Sequence, residues 1–255
     1  MKKIILLGAV LFLPVTSVFA DSHEAEKPSF TPIETYTCDY NDGKGPADLE
    51  KAIKSWNDWM DKEGHDEYFA ALLTPVYFGE PMFDVGWLGV WKNGNVMGSL
   101  SDSWHTKGGK VAGGFAEVLT CKSHTNFASQ NIRKGKPDDD ESDKDFVLSF
   151  SNCSMKEGKK LEEFMAAQKE WNAYADEHDI REANWMWWPV SGEADNDYDF
   201  KLLTGVDDHT MAGANWQLYS EGHFQKSNEL FYGLVDCDIG RVYNGRTIRE
   251  MAEED

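Results

Sequence analysis

The chain has 255 residues, 41% of them hydrophobic, and carries 45 Asp and Glu against 25 Lys and Arg, a formal charge of −20. Such a surface offers no cationic stripe to displace counterions, so nucleic acid and anionic membranes are excluded as partners. The excess of carboxylates reads as a solubility device and is not by itself a calcium site.

In chain order, residues Met1 to Ala20 read as a secretory signal peptide. Lys2 and Lys3 supply the positive start, Ile4 to Phe12 the apolar stretch, and Val18-Phe19-Ala20 the small-residue cleavage site. The apolar stretch is too short to span a bilayer, and no later segment approaches that length. A bacterial periplasmic or secreted protein follows, with no membrane contact after cleavage. About 235 residues remain, enough for one large domain or two small ones. Residues 21–30 form a polar, disordered lead.

Ile33 to Tyr40 alternates apolar and polar and reads as a strand ending at a turn. Pro46 opens a helix whose stripe is Leu49, Ile53, Trp56 and Met60, and Gly64 closes it. Strands are predicted from Tyr68 to Phe78 and from Phe83 to Trp91, with a turn at Asn93-Gly94. A short helix runs from Val96 to about His105. The glycines at 108, 109, 113 and 114 break the chain, and Phe115 to Lys122 is the last strand of the unit, with a tail to Arg133. Residues 134–145 carry Pro137 and no apolar side chain, and read as a solvated linker. The order then repeats. Phe146 to Cys153 is a strand. A helix carries Leu161, Phe164, Met165, Gln168, Trp171 and Ala175. Strands are predicted over Asn184–Val190 and Tyr198–Val206, a short helix over Met211–Tyr219, and a last strand over Leu230–Asp238. Residues 251–255 are a frayed tail.

The four cysteines mark the two copies, residues 31–133 and 146–250. Cys121 leads to Phe127 and Ile132-Arg133 at the offsets by which Cys237 leads to Tyr243 and Ile248-Arg249. In an exported chain these cysteines point to disulfides. Three connectivities are open; Cys38–Cys121 with Cys153–Cys237 is favoured because each bridge stays inside one copy. A four-cysteine metal site lacks the C-x-x-C spacing.

Each copy is thus β-α-β-β-α-β, a ferredoxin-like unit with one bare sheet face, and two copies can bury those faces against each other. The predicted class is α+β, two tandem ferredoxin-like repeats forming a pseudo-dimeric α/β barrel. The element order, the duplication and the matched helical tryptophans Trp59 and Trp171 resemble the dimeric α/β-barrel superfamily. Its members include NIPSNAP-like proteins, antibiotic-biosynthesis-type monooxygenases and chlorite-dismutase-like haem proteins. The resemblance spans about residues 30–250.

Ten tryptophans are a heavy load. They either pack the core or line a pocket for a flat, apolar ligand. The candidate ligand-binding residues are Trp87, Trp91, Trp104 and His105 in the first copy, and Trp188, Trp216 and His209 in the second. His209 follows Asp207-Asp208, a run that can hold a metal but arises often in loops, and no metal site is assigned. His65 and His178 follow the first helix of each copy, where a cation suits the helix end. Asp84 and Asp199 match and read as bonds to a neighbouring turn. Arg133 and Arg249 match and read as salt bridges on an acidic surface. The resemblance implies haem as a possibility, with His105 or His223 as axial ligand, but nothing else in the chain supports it, and no cofactor is assigned. No nucleophile elbow, P-loop or dinucleotide fingerprint occurs.

The main functional expectation is an exported protein that binds a small apolar or aromatic ligand, or a partner, through Trp-rich pockets. The alternatives are a cofactor-independent or haem-assisted monooxygenase-like enzyme, which the resemblance implies, and a structural or stress-related envelope protein. The sequence leaves catalysis undecided, with the balance against it, and names no catalytic residue.

Overall fold

The computed structural model describes residues 29–79, 83–135, 145–192 and 197–252. The predicted signal peptide, nearly all of the lead, residues 136–144 of the linker and the last three residues lie outside the described residues. Among the described residues no helix is long and apolar enough to cross a membrane. The first half runs β1 (Thr31–Tyr40), α1 (Pro46–Glu63), β2 (Tyr68–Tyr77), β3 (Val85–Trp91), α2 (Gly94–Lys107), α3 (Gly109–Ala116), β4 (Leu119–Arg133). The second runs β5 (Asp145–Met155), α4 (Leu161–Glu177), β6 (Ala183–Ser191), β7 (Phe200–Val206), α5 (His209–Leu218), a π-helical turn (Tyr219–His223), α6 (Phe224–Phe231), β8 (Val235–Cys237), β9 (Arg241–Arg249).

The strands form one closed, antiparallel, eight-stranded barrel. The order is β4-β1-β3-β2 and then β9-β5-β7-β6, with β6 returning to β4; β8 continues the line of β9 along β5. The halves therefore join edge to edge at β2–β9 and β4–β6, rather than as two sheets stacked face to face. Closure removes the free edges that an open sheet would expose. Alternate residues fill the inside: Ile33, Leu73, Leu88, Phe127, Leu148, Phe150, Trp187, Leu203 and Tyr243 form its core. Phe127 and Tyr243, matched in the sequence, both lie there. The opposite strand faces carry the helices.

Local chemistry explains most element bounds. Pro46 sits at the start of α1, where its missing N–H is not needed, and Gly64 ends the helix at φ 75°. Asn93 caps α2, its Oδ1 accepting from the amides of Asn95 and Val96. The glycines at 113 and 114 do not break the chain as expected. They lie inside α3, because Val111 and Phe115 pack on the core around them and that packing outweighs the weak helix propensity of glycine. The predicted last strands were also cut short. β4 extends to Arg133, and in the second half the predicted strand start, Leu230-Phe231, ends α6, while a further strand, β9, follows the predicted last strand. This places Cys121 early in β4, directly opposite Cys38 late in β1, and Cys153 opposite Cys237. Both expected disulfides form, which points to an oxidising environment.

Asp84 and Asp199 do tie down neighbouring chain: Oδ2 of each accepts a backbone amide, from Tyr40 at 2.9 Å and from Met155 at 2.8 Å. Arg133 and Arg249 are not surface pairs; their side chains are 3% and 9% exposed. Each crosses to the other half. Arg133 donates to Asp176 Oδ1 and to the carbonyls of Asn172 and Ile180. Arg249 donates to Asp61 Oδ1, Asn57 Oδ1 and the carbonyl of His65. Asn172 and Asn57 answer by donating to the carbonyls of Ile132 and Ile248. These reciprocal clamps match 57 with 172, 61 with 176 and 65 with 180. On that register Trp56, not Trp59, corresponds to Trp171. His65 matches Ile180, so the two helix-end histidines are not equivalents. Burial holds the His65 imidazole below its usual range, which works against the cation a helix end favours.

Candidate active site

A cavity of about 520 Å³ lies between the outer face of β1, β3 and β4 and the helices α1, α2 and α3. Strand alternation builds its floor: Glu34, Tyr36 and Cys38 share one face of β1, and Trp87 and Trp91 one face of β3. Trp56, Leu100, Trp104 and Phe115 close it from the helices. Of the candidates named from the sequence, Trp87, Trp91, Trp104 and His105 all line this cavity. Trp91 is 4% exposed and its Nε1–H has no partner among the described residues.

The second set does not converge. Trp188 packs edge-on against Phe30, and Trp216 is 70% exposed on α5. His209 opens α5 with its Nε2 2.6 Å from Asn244 Oδ1, while Asp208 caps the helix through the amide of Met211. The Asp-Asp-His run is thus a helix start. Among the described residues no cluster of three or more His, Cys, Asp or Glu is arranged for a metal.

The sequence reading missed the polar centre of the cavity. Glu34 is 8% exposed. Its Oε1 accepts from the Tyr68 hydroxyl at 2.7 Å, and its Oε2 lies 2.7 Å from Nε2 of His124. Trp87 Nε1 donates to the Tyr68 hydroxyl at 3.0 Å. The Tyr36 ring stacks flat on His124, centroids 3.8 Å apart. A buried carboxylate is costly unless paired, and this one is met by an imidazole and a phenol inside an aromatic cavity. That is the pattern of a functional site. A signal did exist: the alternation that buries Cys38 puts Glu34 on the same face.

Gly89 makes the network possible. A Cβ there would come within 1.9 Å of the Tyr68 hydroxyl oxygen and 2.9 Å of Glu34 Cγ. Gly89→Ala is expected to destabilise by about 1–3 kcal/mol, as overpacked sites do. Adding Tyr68→Phe should recover part of that loss, measured by denaturant midpoints of the three variants. Strictly additive losses would place the clash elsewhere.

Burial first, and the Glu34 carboxylate second, raise the Tyr36 and Tyr68 hydroxyls far above the ordinary phenol value of 10.0. The native state therefore holds these protons more tightly than the unfolded chain. That contribution is complete below pH 10 and is lost as pH rises further, because only the unfolded chain can release the protons. Stability should fall above about pH 10, less steeply in Tyr68→Phe. Equal slopes in equilibrium unfolding at pH 9 to 11 would contradict the assignment.

Haem fits this donor set poorly. Its propionates need cations, and among the described residues no Lys or Arg lines the cavity. His105 lines the cavity from the exposed end of α2, and His223 lies in the other half, its Nδ1 held by Tyr174.

No family model matches the chain, and no curated protein sequence does. Solved structures match in fold. A candidate chlorite dismutase, TA0507, aligns with TM-score 0.53 and 11% identity over 86% of this chain and 95% of its own. A candidate monooxygenase from Lactobacillus acidophilus gives 0.52 and 12% over 87% and 95%. An anthrone oxidase-like protein gives 0.50 and 12% over 90% and 98%. The chain thus shares the dimeric α/β-barrel fold, as the resemblance implied. The expectation of a non-enzymatic ligand- or partner-binding protein is overturned here. The neighbours that cover most of the chain carry the names of enzymes.

Proposed function

We propose that this chain is a cofactor-independent oxygenase-like enzyme acting on a flat aromatic substrate with an acidic C–H, and that Glu34, Tyr68 and His124 form its acid–base centre. The observation that carries the reading is the buried Glu34 carboxylate, bonded to His124 and Tyr68 on the wall of a tryptophan-lined cavity. A carboxylate only accepts hydrogen bonds, so His124 Nε2 donates to it and Nδ1 becomes the basic nitrogen. His124 removes a proton from a methylene activated by an adjoining aromatic carbonyl. Glu34 stabilises the imidazolium so formed. The carbanion transfers an electron to dioxygen, the two recombine as a peroxide, and loss of water leaves a carbonyl. The balance is one CH₂ and one O₂ giving one C=O and one H₂O. Trp87, Trp91 and Trp104 supply the flat apolar walls and exclude water.

The same reading includes an exported, periplasmic enzyme built from two ferredoxin-like repeats, of which the first carries the active cavity. Support comes from the two disulfides, the Lys-led apolar start of the chain, and the reciprocal arginine clamps. The test is direct. Purified protein with no added cofactor is given anthrone, with oxygen uptake and anthraquinone formation followed together. Turnover with one O₂ consumed per anthraquinone is expected. No turnover above the uncatalysed rate across a panel of fused-ring ketones, or turnover only after haem loading, would overturn the proposal.

A further inference from the structure

Three metal-capable rings meet at the far end of the second half, away from the cavity. Tyr174 lies in the last turn of α4 and His178 follows its end, so both fall on one side of the helix. The π-helical turn bends at Gly222, φ 128°, a conformation that suits glycine alone. That bend carries His223 over the end of α4. Tyr174 Oη and His223 Nδ1 stand 2.7 Å apart. Ring centroids are 4.2 Å apart for Tyr174–His178, 4.7 Å for His178–His223 and 5.6 Å for Tyr174–His223. All three residues are half-buried, within reach of a dissolved ion.

The separation of the two imidazoles is compatible with both ligating one ion. A metal–nitrogen bond of about 2.0–2.1 Å sets an imidazole centre about 3.2 Å from the metal. Two imidazoles on one ion then have centres about 4.5–5.2 Å apart, for ligand angles from about 90° to 109°. The His178–His223 separation falls inside that window. Two ligand atoms at right angles stand about 2.9 Å apart, and the hydrogen-bonded Tyr174–His223 pair is already close to this. An ion entering here takes the place of the hydroxyl proton, which leaves to solvent, and bonds the phenolate oxygen. Two imidazoles and a phenolate form a borderline donor set, suited to Cu(II) and Zn(II) and poor for calcium or magnesium. The net charge of −20 raises cation concentration at the surface.

We infer that Tyr174, His178 and His223 form a binding site for a divalent first-row transition-metal ion, built at the bend between α5 and α6. The inference does not rest on the proposed oxygenase activity, since none of the three residues lines that cavity.

The test is titration of chelator-stripped protein with Cu(II) and with Zn(II), followed by calorimetry and absorption. One ion per chain is expected, and the Cu(II) complex should show a phenolate-to-metal charge-transfer band. Tyr174→Phe should abolish the band. His178→Gln and His223→Gln should each weaken binding at least tenfold, with circular dichroism checking that each variant is folded. The band in the unaltered protein stands as evidence even if a variant fails to fold. Absence of binding, absence of the band, or equal affinity in a folded His178→Gln/His223→Gln double variant would overturn the site.

Discussion

Replacing Arg249 by alanine is expected to destabilise the protein by about 3–4 kcal/mol, because three charge-assisted hydrogen bonds go and a buried gap is left. For a domain of this size that is a fall in Tm of roughly 6–16 °C. Arg133→Ala should do the same from the other junction. The two clamps share no partner, so the double variant should lose about the sum. The carboxylate partners are the weaker half of the argument. Asp61 and Asp176 are 69% and 56% exposed, so their charge is largely screened. Asp61→Asn and Asp176→Asn should therefore cost well under 1 kcal/mol each. The difference identifies what holds the halves together: a buried guanidinium satisfying backbone carbonyls at the end of the partner half's helix, rather than a surface ion pair. Thermal melts of the four single variants decide it. If the aspartate variants lose as much as the arginine variants, the pairing is ionic after all.

Those arginines were visible in the sequence as a matched Ile-Arg pair, but their partners were not. A repeat fixes which residues are equivalent; it does not say whether an equivalent residue faces its own half or the other. Closure of the barrel decided that, and closure is a long-range property. Where a signal was local, the reading was close. The stripe Leu49, Ile53, Trp56, Met60, bracketed by Pro46 and Gly64, fixed α1 to within a residue. Cysteine spacing led to both bridges. Where propensity competed with packing, it failed: Phe115 and Val111 keep two glycines helical in α3. The Trp59–Trp171 match gives way to Trp56–Trp171 because the clamps anchor the register on Asn57 and Asn172.

The site divides the same way. Trp87, Trp91 and Trp104 could be gathered from alternation and helix spacing, since bulk apolar side chains announce a wall. Trp188, Trp216 and His209 were carried over from the first half by symmetry. They do not converge, because in the second half Phe164 packs tilted against both Phe200 and Phe231 in a filled core cluster against which Trp188 also packs. Tyr68 on β2 and His124 on β4 flank Glu34 on β1 only through the barrel's strand order, which sequence spacing does not encode.

His124→Gln is expected to lower kcat/KM for an anthrone-type substrate by about 10²–10⁴, the range lost with a general base, equivalent to about 3–5 kcal/mol of barrier. Glutamine keeps a donor for Glu34 and a similar length, so the fold and the cavity should survive. Most of the loss should fall on kcat, because the tryptophan walls that bind the ring system are unchanged. Glu34→Gln removes the charge that stabilises the imidazolium and should cost about 10² or more by the same logic. Tyr68→Phe leaves the Glu34–His124 pair in place and removes only a hydrogen bond that orients Glu34. Its cost should be smaller, and it acts as a positioning change. The order His124 first, Glu34 second, Tyr68 third follows from the proposed roles of base, stabiliser of the imidazolium and positioning residue. A substrate deuterated at the methylene adds an independent reading. If proton removal limits turnover, the unaltered enzyme shows a primary isotope effect. Full turnover in a folded His124→Gln protein, with the isotope effect intact, would move the base to another residue and leave the Glu34 network a structural feature.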